Sequence, residues 1–159
     1  MIKLTVIALG KLKEKYLLEA VKEYAKRLSG YCKLDIVEIE PIRLSDKPSQ
    51  SEINNTLDKE ADIIIKKIPQ NSKVITLCVE GKELTSEKFA EDIKQCESMG
   101  NSMTFIIGSS YGLSESVKRL SSFRLSVSQM TFPHQLFRVM LLEQIYRAFK
   151  INEGSAYHK

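Results

Sequence analysis

The sequence alternates between short apolar segments and longer segments with helical periodicity, and this order most constrains the fold. Ile2–Leu9 is rich in β-branched and aliphatic residues and stops at Gly10, whereas from Tyr16 apolar residues recur three and four apart. The first pattern is typical of a strand and the second of a helix. Further strands are predicted at 34–40, 73–79, 103–107 and 123–127, further helices at 52–67, 86–96, 114–120 and 135–151, and a turn at 80–82. Strands interleaved with helices predict an α/β fold with a mainly parallel sheet.

The chain has the size and composition of one globular domain. Its 159 residues are 43% hydrophobic and 28% charged, and no internal repeat or Pro/Ser-rich hinge divides residues 1–159. The apolar runs are too short to cross a bilayer, and the N-terminus leads into a strand without an export signal. We therefore expect a single cytoplasmic domain with no membrane partner.

The cysteines and the net charge exclude some classes of protein and leave others open. Cys32, Cys78 and Cys96 are odd in number and far apart, so they form neither a disulfide framework nor a zinc pattern. We expect reduced thiols and no bound metal. The formal charge of +4, from 24 basic and 20 acidic residues, is compatible with an RNA partner but does not by itself indicate one.

A loop of small residues follows the predicted fourth strand and is the first candidate site. It reads Ile107-Gly108-Ser109-Ser110-Tyr111-Gly112. Ligands of open α/β sheets bind at the carboxyl ends of the strands, where Gly108 lets the backbone approach a cofactor closely. The spacing matches neither the dinucleotide fingerprint nor the P-loop. A tight strand-to-helix turn explains the loop equally well.

The segment after the predicted fifth strand is the second candidate. Ser128, Gln129 and Thr131 lie among apolar residues there, which combines backbone donors and acceptors with an apolar wall, as an adenine or thioether pocket needs. The alternative is an ordinary capped helix entry, with Pro133 near the first turn.

The predicted C-terminal helix carries an arginine in its apolar sector. Arg138 projects among residues that share this sector, namely Phe137, Leu141, Leu142, Ile145, Ala148 and Phe149. Its guanidinium must be paired with an acid, exposed at a cleft mouth or directed at a ligand. Val139, Met140 and Tyr146 extend apolar character to the other side of the helix, which indicates a second covering surface such as a subunit interface.

The C-terminal tail ends in Tyr157-His158-Lys159. An aromatic ring, an imidazole and an ammonium group suit stacking on a base and contact with a phosphate. A frayed chain end is the alternative.

Several of these features occur together in one known family. The chain resembles the ribosomal RNA large-subunit methyltransferase H family of SPOUT methyltransferases in its length, element order and C-terminal motifs, which are Thr131-Phe132-Pro133-His134, Arg138, Glu143-Gln144, Tyr146-Arg147-Ala148 and Tyr157-His158-Lys159. Two positions depart from the family pattern. Ser109 replaces the second glycine of Ile-Gly-Gly-x-x-Gly, and Ala156 replaces a proline.

The resemblance implies a fold, a reaction and a set of partners. It implies a parallel sheet with helices on both faces, a deep C-terminal trefoil knot and a homodimer in which the tail of one subunit completes the site of the other. The implied reaction is S-adenosylmethionine-dependent methylation of N3 of a pseudouridine in 23S rRNA, on assembled ribosomes and without a metal.

The resemblance also implies roles for individual residues. Arg138 would hold the target nucleotide or its phosphate, Tyr157 would stack on the base, and His158 would act as general base or orient the base. The cofactor would be bound mainly by backbone groups of Leu77, Gly108, Val127, Ser128, Gln129, Met130, Thr131 and Phe132.

The sequence allows comparison with two other functions, a binding factor and a nucleotide enzyme. A noncatalytic ribosome-binding factor with the same fold is favoured only by Ser109. A Rossmann-type nucleotide enzyme is disfavoured because the glycine fingerprint and its acidic ribose partner are absent.

Overall fold

The computed structural model describes residues 1–159 as five strands and five helices in strict alternation. In chain order the elements are β1 Ile2–Leu9, α1 Lys15–Leu28, β2 Cys32–Ile39, α2 Gln50–Lys67, β3 Ser72–Glu83, α3 Ser86–Ser98, β4 Ser102–Ile107, α4 Glu115–Leu120, β5 Phe123–Ser126 and α5 His134–Asn152. The predicted α/β alternation is confirmed.

The strands form one sheet in the order β2-β1-β4-β3-β5, and every pairing is parallel. In the centre of the sheet, Leu4 of β1 lies beside Leu34 of β2 and Met103 of β4. Parallel pairing places the carboxyl ends of all five strands at one edge. The loops that follow the strands therefore meet at that edge.

Helices cover both faces of the sheet. On one face, α1, α3 and α5 pack against alternate strand residues such as Val6 and Phe105. On the other face, α2 and α4 pack against the intervening residues, including Ile7 and Ile106. Because adjacent strand residues point to opposite faces, the continuous apolar runs of β1 and β4 supply both cores.

Strand β3 continues past its predicted end, and the turn predicted at 80–82 is wrong. β3 extends to Glu83, and its pairing with β5 shifts between Leu77 and Lys82. Gly81 allows this continuation, since an added Cβ would lie 2.6 Å from the carbonyl oxygen of Arg124 on β5. The third strand is thus longer because glycine permits close backbone approach to its neighbour.

Two other elements begin two residues earlier than predicted. β2 begins at Cys32, and α2 begins at Gln50. The start of α2 is set by a capping box, in which the Ser49 hydroxyl accepts from the Glu52 N–H at 3.2 Å and the Ser49 N–H donates to the Glu52 carboxylate at 2.9 Å.

The three cysteines are free and buried. Burial raises the pKa of the Cys32 thiol to about 11, so this side chain is protonated at neutral pH and behaves as a small apolar group. No helix of the chain is both long enough and apolar enough to cross a bilayer.

The role of Gly81 leads to a prediction about stability. Gly81→Ala should lower the free energy of unfolding by about 1–3 kcal/mol, because the added methyl group meets backbone that cannot rotate away. Gly30→Ala is the matched control, since open space surrounds that position. It should leave stability unchanged or raise it slightly. Urea unfolding measures both variants, and equal stability of the two would contradict the close approach of β3 to β5.

Candidate active site

A cavity of about 650 Å³ lies at the carboxyl ends of β3 and β4, beside the start of α5. Its volume falls within the range of about 300–1,000 Å³ that is common for cofactor and small-ligand pockets. The wall combines Leu77 from β3, the loop after β4, and Thr131, Phe132 and Phe137 from the region that leads into α5. Three candidate segments far apart in the sequence therefore meet in one pocket.

The loop after β4 is closed by its own backbone. The Gly112 N–H donates to the Ser109 carbonyl at 2.9 Å, and Gly112 has a φ of +82°, a conformation that glycine adopts without steric cost. A Cβ on Gly108 would lie 2.6 Å from the Gly112 carbonyl carbon. Gly108 is thus required for loop closure, and because it also lines the cavity, its predicted close approach to a cofactor stays a prediction. Ser109 has no positive φ, so serine fits there.

The segment that leads into α5 has free backbone donors. The N–H groups of Gln129, Thr131 and Phe132 donate to no atom of the chain. Only Thr131 and Phe132 of this segment's candidate residues line the cavity. Unpaired N–H groups beside an apolar wall are suited to binding the polar edge of a ligand.

The other candidate residues of this segment lie outside the cavity lining, which includes neither Val127, Ser128, Gln129 nor Met130. Ser128 stabilises the turn instead, since its hydroxyl accepts from the Met130 N–H at 3.0 Å and its carbonyl accepts from the Ser126 hydroxyl at 3.0 Å. Met130 is 72% exposed. The side chains of these residues therefore shape the segment without contacting the cavity.

The charged groups of the cavity wall are paired. Lys118 donates to Glu80, and this hydrogen bond lowers the pKa of the Glu80 carboxyl. Burial, and secondarily the nearby Arg138, lowers the pKa of His134, so its imidazole is neutral at pH 7. The cavity wall thus carries no unpaired charge.

Arg138 is buried beneath the carboxyl edge of the sheet and does not line the cavity. It donates to the Glu38 carboxylate at 2.7 Å and to the Gly10 carbonyl at 2.9 Å, while its buried Nε has no partner. Its side chain is 3% exposed. Of the alternatives that the sequence allows, the structure shows the paired one. Arg138 therefore ties α5 to the ends of β1 and β2.

The C-terminal tail is not frayed but packs against α5 and α3. The Tyr157 hydroxyl donates to Glu143 at 3.0 Å, and the Arg147 guanidinium lies 4.7 Å from the centroid of the Tyr157 ring. Burial, and then the hydrogen bond to Glu143, raises the pKa of Tyr157. The phenol is therefore neutral at pH 7.

His158 has a partner on each ring nitrogen. Nε2 lies 2.8 Å from Glu87, and Nδ1 lies 3.3 Å from an Arg147 nitrogen. Since a guanidinium can only donate, Nδ1 must accept, and the proton is assigned to Nε2, which donates to Glu87. This hydrogen bond lowers the pKa of Glu87. Both nitrogens of His158 are thus engaged within the chain.

The tail and the cavity lie at different ends of α5. Arg147 follows His134 by 13 residues on this helix, a distance of roughly 20 Å at about 1.5 Å per residue. No residue of the tail lines the cavity. A single chain therefore does not bring Tyr157 and His158 to the pocket.

Comparison with known proteins identifies the class of protein. The model of the family described as "Predicted SPOUT methyltransferase" matches residues 2–158, and the chain belongs to this family. It is 52% identical over 157 residues to ribosomal RNA large subunit methyltransferase H 1 of Clostridium perfringens (strain SM101 / Type A), covering 98% of this chain and 99% of the relative. It is 53% identical, with the same coverage, to ribosomal RNA large subunit methyltransferase H of Clostridium botulinum (strain Alaska E43 / Type E3). The family resemblance predicted from the C-terminal motifs is confirmed.

Sequence reasoning assigned no role to several residues that contact the candidate groups. Glu143 and Arg147 form an ion pair at 2.7 Å and hold the tail, and their spacing of four residues on a helix is a recognisable signal. Lys118 and Phe137 line the cavity. No pattern in the sequence predicts that these two residues share a cavity with the end of β3, because only the tertiary fold brings them together.

The burial of Arg138 predicts an asymmetry between two variants. Glu38→Ala should lower the free energy of unfolding by about 3 kcal/mol, since it leaves a buried guanidinium without its counter-ion. Arg138→Met should lower the free energy of unfolding clearly less, because it removes the buried charge itself. Glu38, which is 38% exposed, can then turn to water. Urea unfolding measures both. Unchanged stability of Glu38→Ala would mean that Arg138 is not held by this pair.

Proposed function

We propose that the protein is an S-adenosylmethionine-dependent methyltransferase that modifies N3 of a pseudouridine in 23S rRNA, acting in the cytoplasm on assembled ribosomes. The observation that carries the proposal is the cavity at the carboxyl edge of the sheet, with its free N–H groups, in a chain that belongs to the SPOUT methyltransferases. The printed names of its relatives support large-subunit rRNA as the substrate class.

The residues of the cavity fit this cofactor. Leu77 and Phe132 provide apolar wall for an adenosyl group, and the unpaired N–H groups of Thr131 and Phe132 can bind its polar edge or a carboxylate. The cofactor supplies a methyl group made electrophilic by the sulfonium. What remains for the protein is to align the reacting atoms and to assist loss of the N3 proton.

The path of the chain supports the proposed trefoil knot. β5 lies at one edge of the sheet, yet α5 returns to pack against α1, α3 and the central strand β4. The connecting segment 127–133 must therefore cross the carboxyl edge, where Thr131 and Phe132 meet the loops after β3 and β4. In the proposal, segment 127–133 is threaded through a loop formed by an earlier part of the chain, which makes the knot.

A homodimer follows from the separation of tail and cavity. If Tyr157 and His158 act on the substrate, they must come from a second chain, since within one chain they lie at the far end of α5. Leu136, Val139 and Met140 are only partly buried on α5, so they provide apolar surface for the partner. Each cavity would then be completed by the partner's tail.

In this proposal each candidate residue has a defined part. Tyr157 stacks on the target base. His158 orients the base or accepts the N3 proton, and the base role requires it to release Glu87 or Arg147. Arg138 acts as a positioning residue, because it holds α5 against the ends of β1 and β2 rather than facing the cavity.

The noncatalytic alternative loses its support. It rests on Ser109, and the backbone conformation there accommodates serine while the loop still closes through Gly112.

The proposal predicts separate effects on cofactor and substrate. Calorimetry should detect binding of S-adenosylmethionine but not of NAD, and the protein should transfer labelled methyl groups to ribosomes that lack the modification. His158→Ala should bind S-adenosylmethionine with unchanged affinity, yet its methyl transfer should fall about 100-fold, as for a positioning or base residue.

Lys159→Ala is the control for a general effect on the tail, and it should keep most of the activity. If wild-type protein binds S-adenosylmethionine but transfers no methyl group to ribosomes, the proposed reaction fails and the binding-factor alternative holds. If His158→Ala is fully active, the tail has no part in the reaction.

A further inference from the structure

A second cavity, of about 240 Å³, lies at the same edge of the sheet under the loop between β2 and α2. It adjoins the larger cavity, since Ser109, Ser110, Tyr111 and His134 line both. A methyl acceptor must sit beside the methyl donor with the reacting atoms in line. The smaller cavity is therefore in the right place for an acceptor.

The smaller cavity contains a buried carboxylate with a free oxygen. Glu60 of α2 lines the cavity and is 3% exposed. Its Oε2 accepts from the Ile42 N–H at 3.0 Å, whereas Oε1 accepts no hydrogen bond from the chain, and no cation pairs with the group. Burial raises the pKa of this carboxyl. The buried side-chain atoms without a partner are Thr5 Oγ1 and Arg138 Nε, so Oε1 of Glu60 is open to the cavity, where it can accept from an N–H of a ligand.

The remaining surroundings suit a nucleotide. Leu9, Leu44 and Leu57 provide apolar wall inside the cavity, as the faces of a base require. Outside, Arg43 and Lys47 are exposed on the β2–α2 loop and make no ion pair. A base inside the cavity would leave its phosphates near these cations.

We infer that this cavity is a nucleobase subsite in which Oε1 of Glu60 accepts an N–H of the base, and that this N–H is N1–H of pseudouridine. The inference rests on the proposed function. In uridine N1 carries the ribose and has no hydrogen, whereas in pseudouridine the ribose is on carbon and N1–H is free. Glu60 would thus select pseudouridine over uridine.

Glu60→Gln tests this role, because the amide keeps the size of the side chain but turns one acceptor into a donor. Whichever way the amide is oriented, its NH₂ faces either Ile42 N–H or the N–H of the base. Ribosomes that carry pseudouridine at the target and ribosomes that carry uridine there serve as substrates. Asp62→Asn, an exposed carboxylate on the same helix, is the matched control.

The expected result is a change in preference rather than a general loss. Wild-type protein and Asp62→Asn should prefer pseudouridine ribosomes by about tenfold or more in kcat/KM, as for a hydrogen bond to a charged group. Glu60→Gln should reduce this ratio to near one, with unchanged affinity for S-adenosylmethionine. That unchanged affinity also shows that the variant is folded.

Other outcomes overturn the inference in distinguishable ways. An equal loss of kcat/KM on both substrates would mean that Glu60 serves only to accept the hydrogen bond from the Ile42 N–H. Equal activity of wild-type protein on both kinds of ribosome would leave the proposed methyl transfer intact but exclude reading of N1–H. No activity of wild-type protein on either would refute the proposed function itself.

A second variant tests the cavity without changing Glu60. Leu44→Trp would fill the space from the half-buried β2–α2 loop. It should abolish methyl transfer while S-adenosylmethionine still binds, and full activity would show that no base enters this cavity.

Discussion

The parallel pairing of all five strands is the constraint on which the rest of the structure depends. It places every strand-to-helix loop at one edge of the sheet, so loops that are distant in sequence meet there. The larger cavity forms where the ends of β3 and β4 face the entry to α5, and the smaller one forms where the ends of β1 and β4 face the β2–α2 loop. Both cavities share the loop after β4, whose closure requires Gly108 and Gly112.

Helix α5 runs from the carboxyl edge of the sheet to the C-terminal tail, and its length keeps the tail away from the cavities. Arg138 fixes its first half through Glu38 and Gly10, whereas Arg147 and Glu143 hold the tail on its second half. The helix packs against α1 and α3, so the tail cannot reach its own cavity unless part of this helix unfolds. This geometry is the physical reason for proposing that the active site is shared between two chains.

Local patterns predicted the element order and part of the site, because strand and helix periodicity are properties of short segments. The family resemblance, rather than a local pattern, groups Leu77 with Gly108, Thr131 and Phe132, and these four residues line one cavity. The partners of Arg138 and His158 were not predictable, since Glu38 and Glu87 lie 100 and 71 residues away in the sequence. The continuation of β3 through Gly81 was missed because its cause is the backbone of β5. No sequence pattern indicated that Glu60 is buried, since its burial arises only when α2 packs on the sheet.

Methyl transfer by mixed dimers tests the shared site most directly. One chain carries Thr131→Trp, which fills the cavity from an exposed position, and the other lacks residues 157–159. Each variant alone should be inactive, whereas the mixed dimer has one complete site and should show about half of wild-type activity. A dimer of wild-type chain with a chain carrying both changes should be inactive, because neither of its sites is complete. The opposite pattern, with an inactive first dimer and a half-active second one, would contradict the account and place cavity and tail of the same chain in one site.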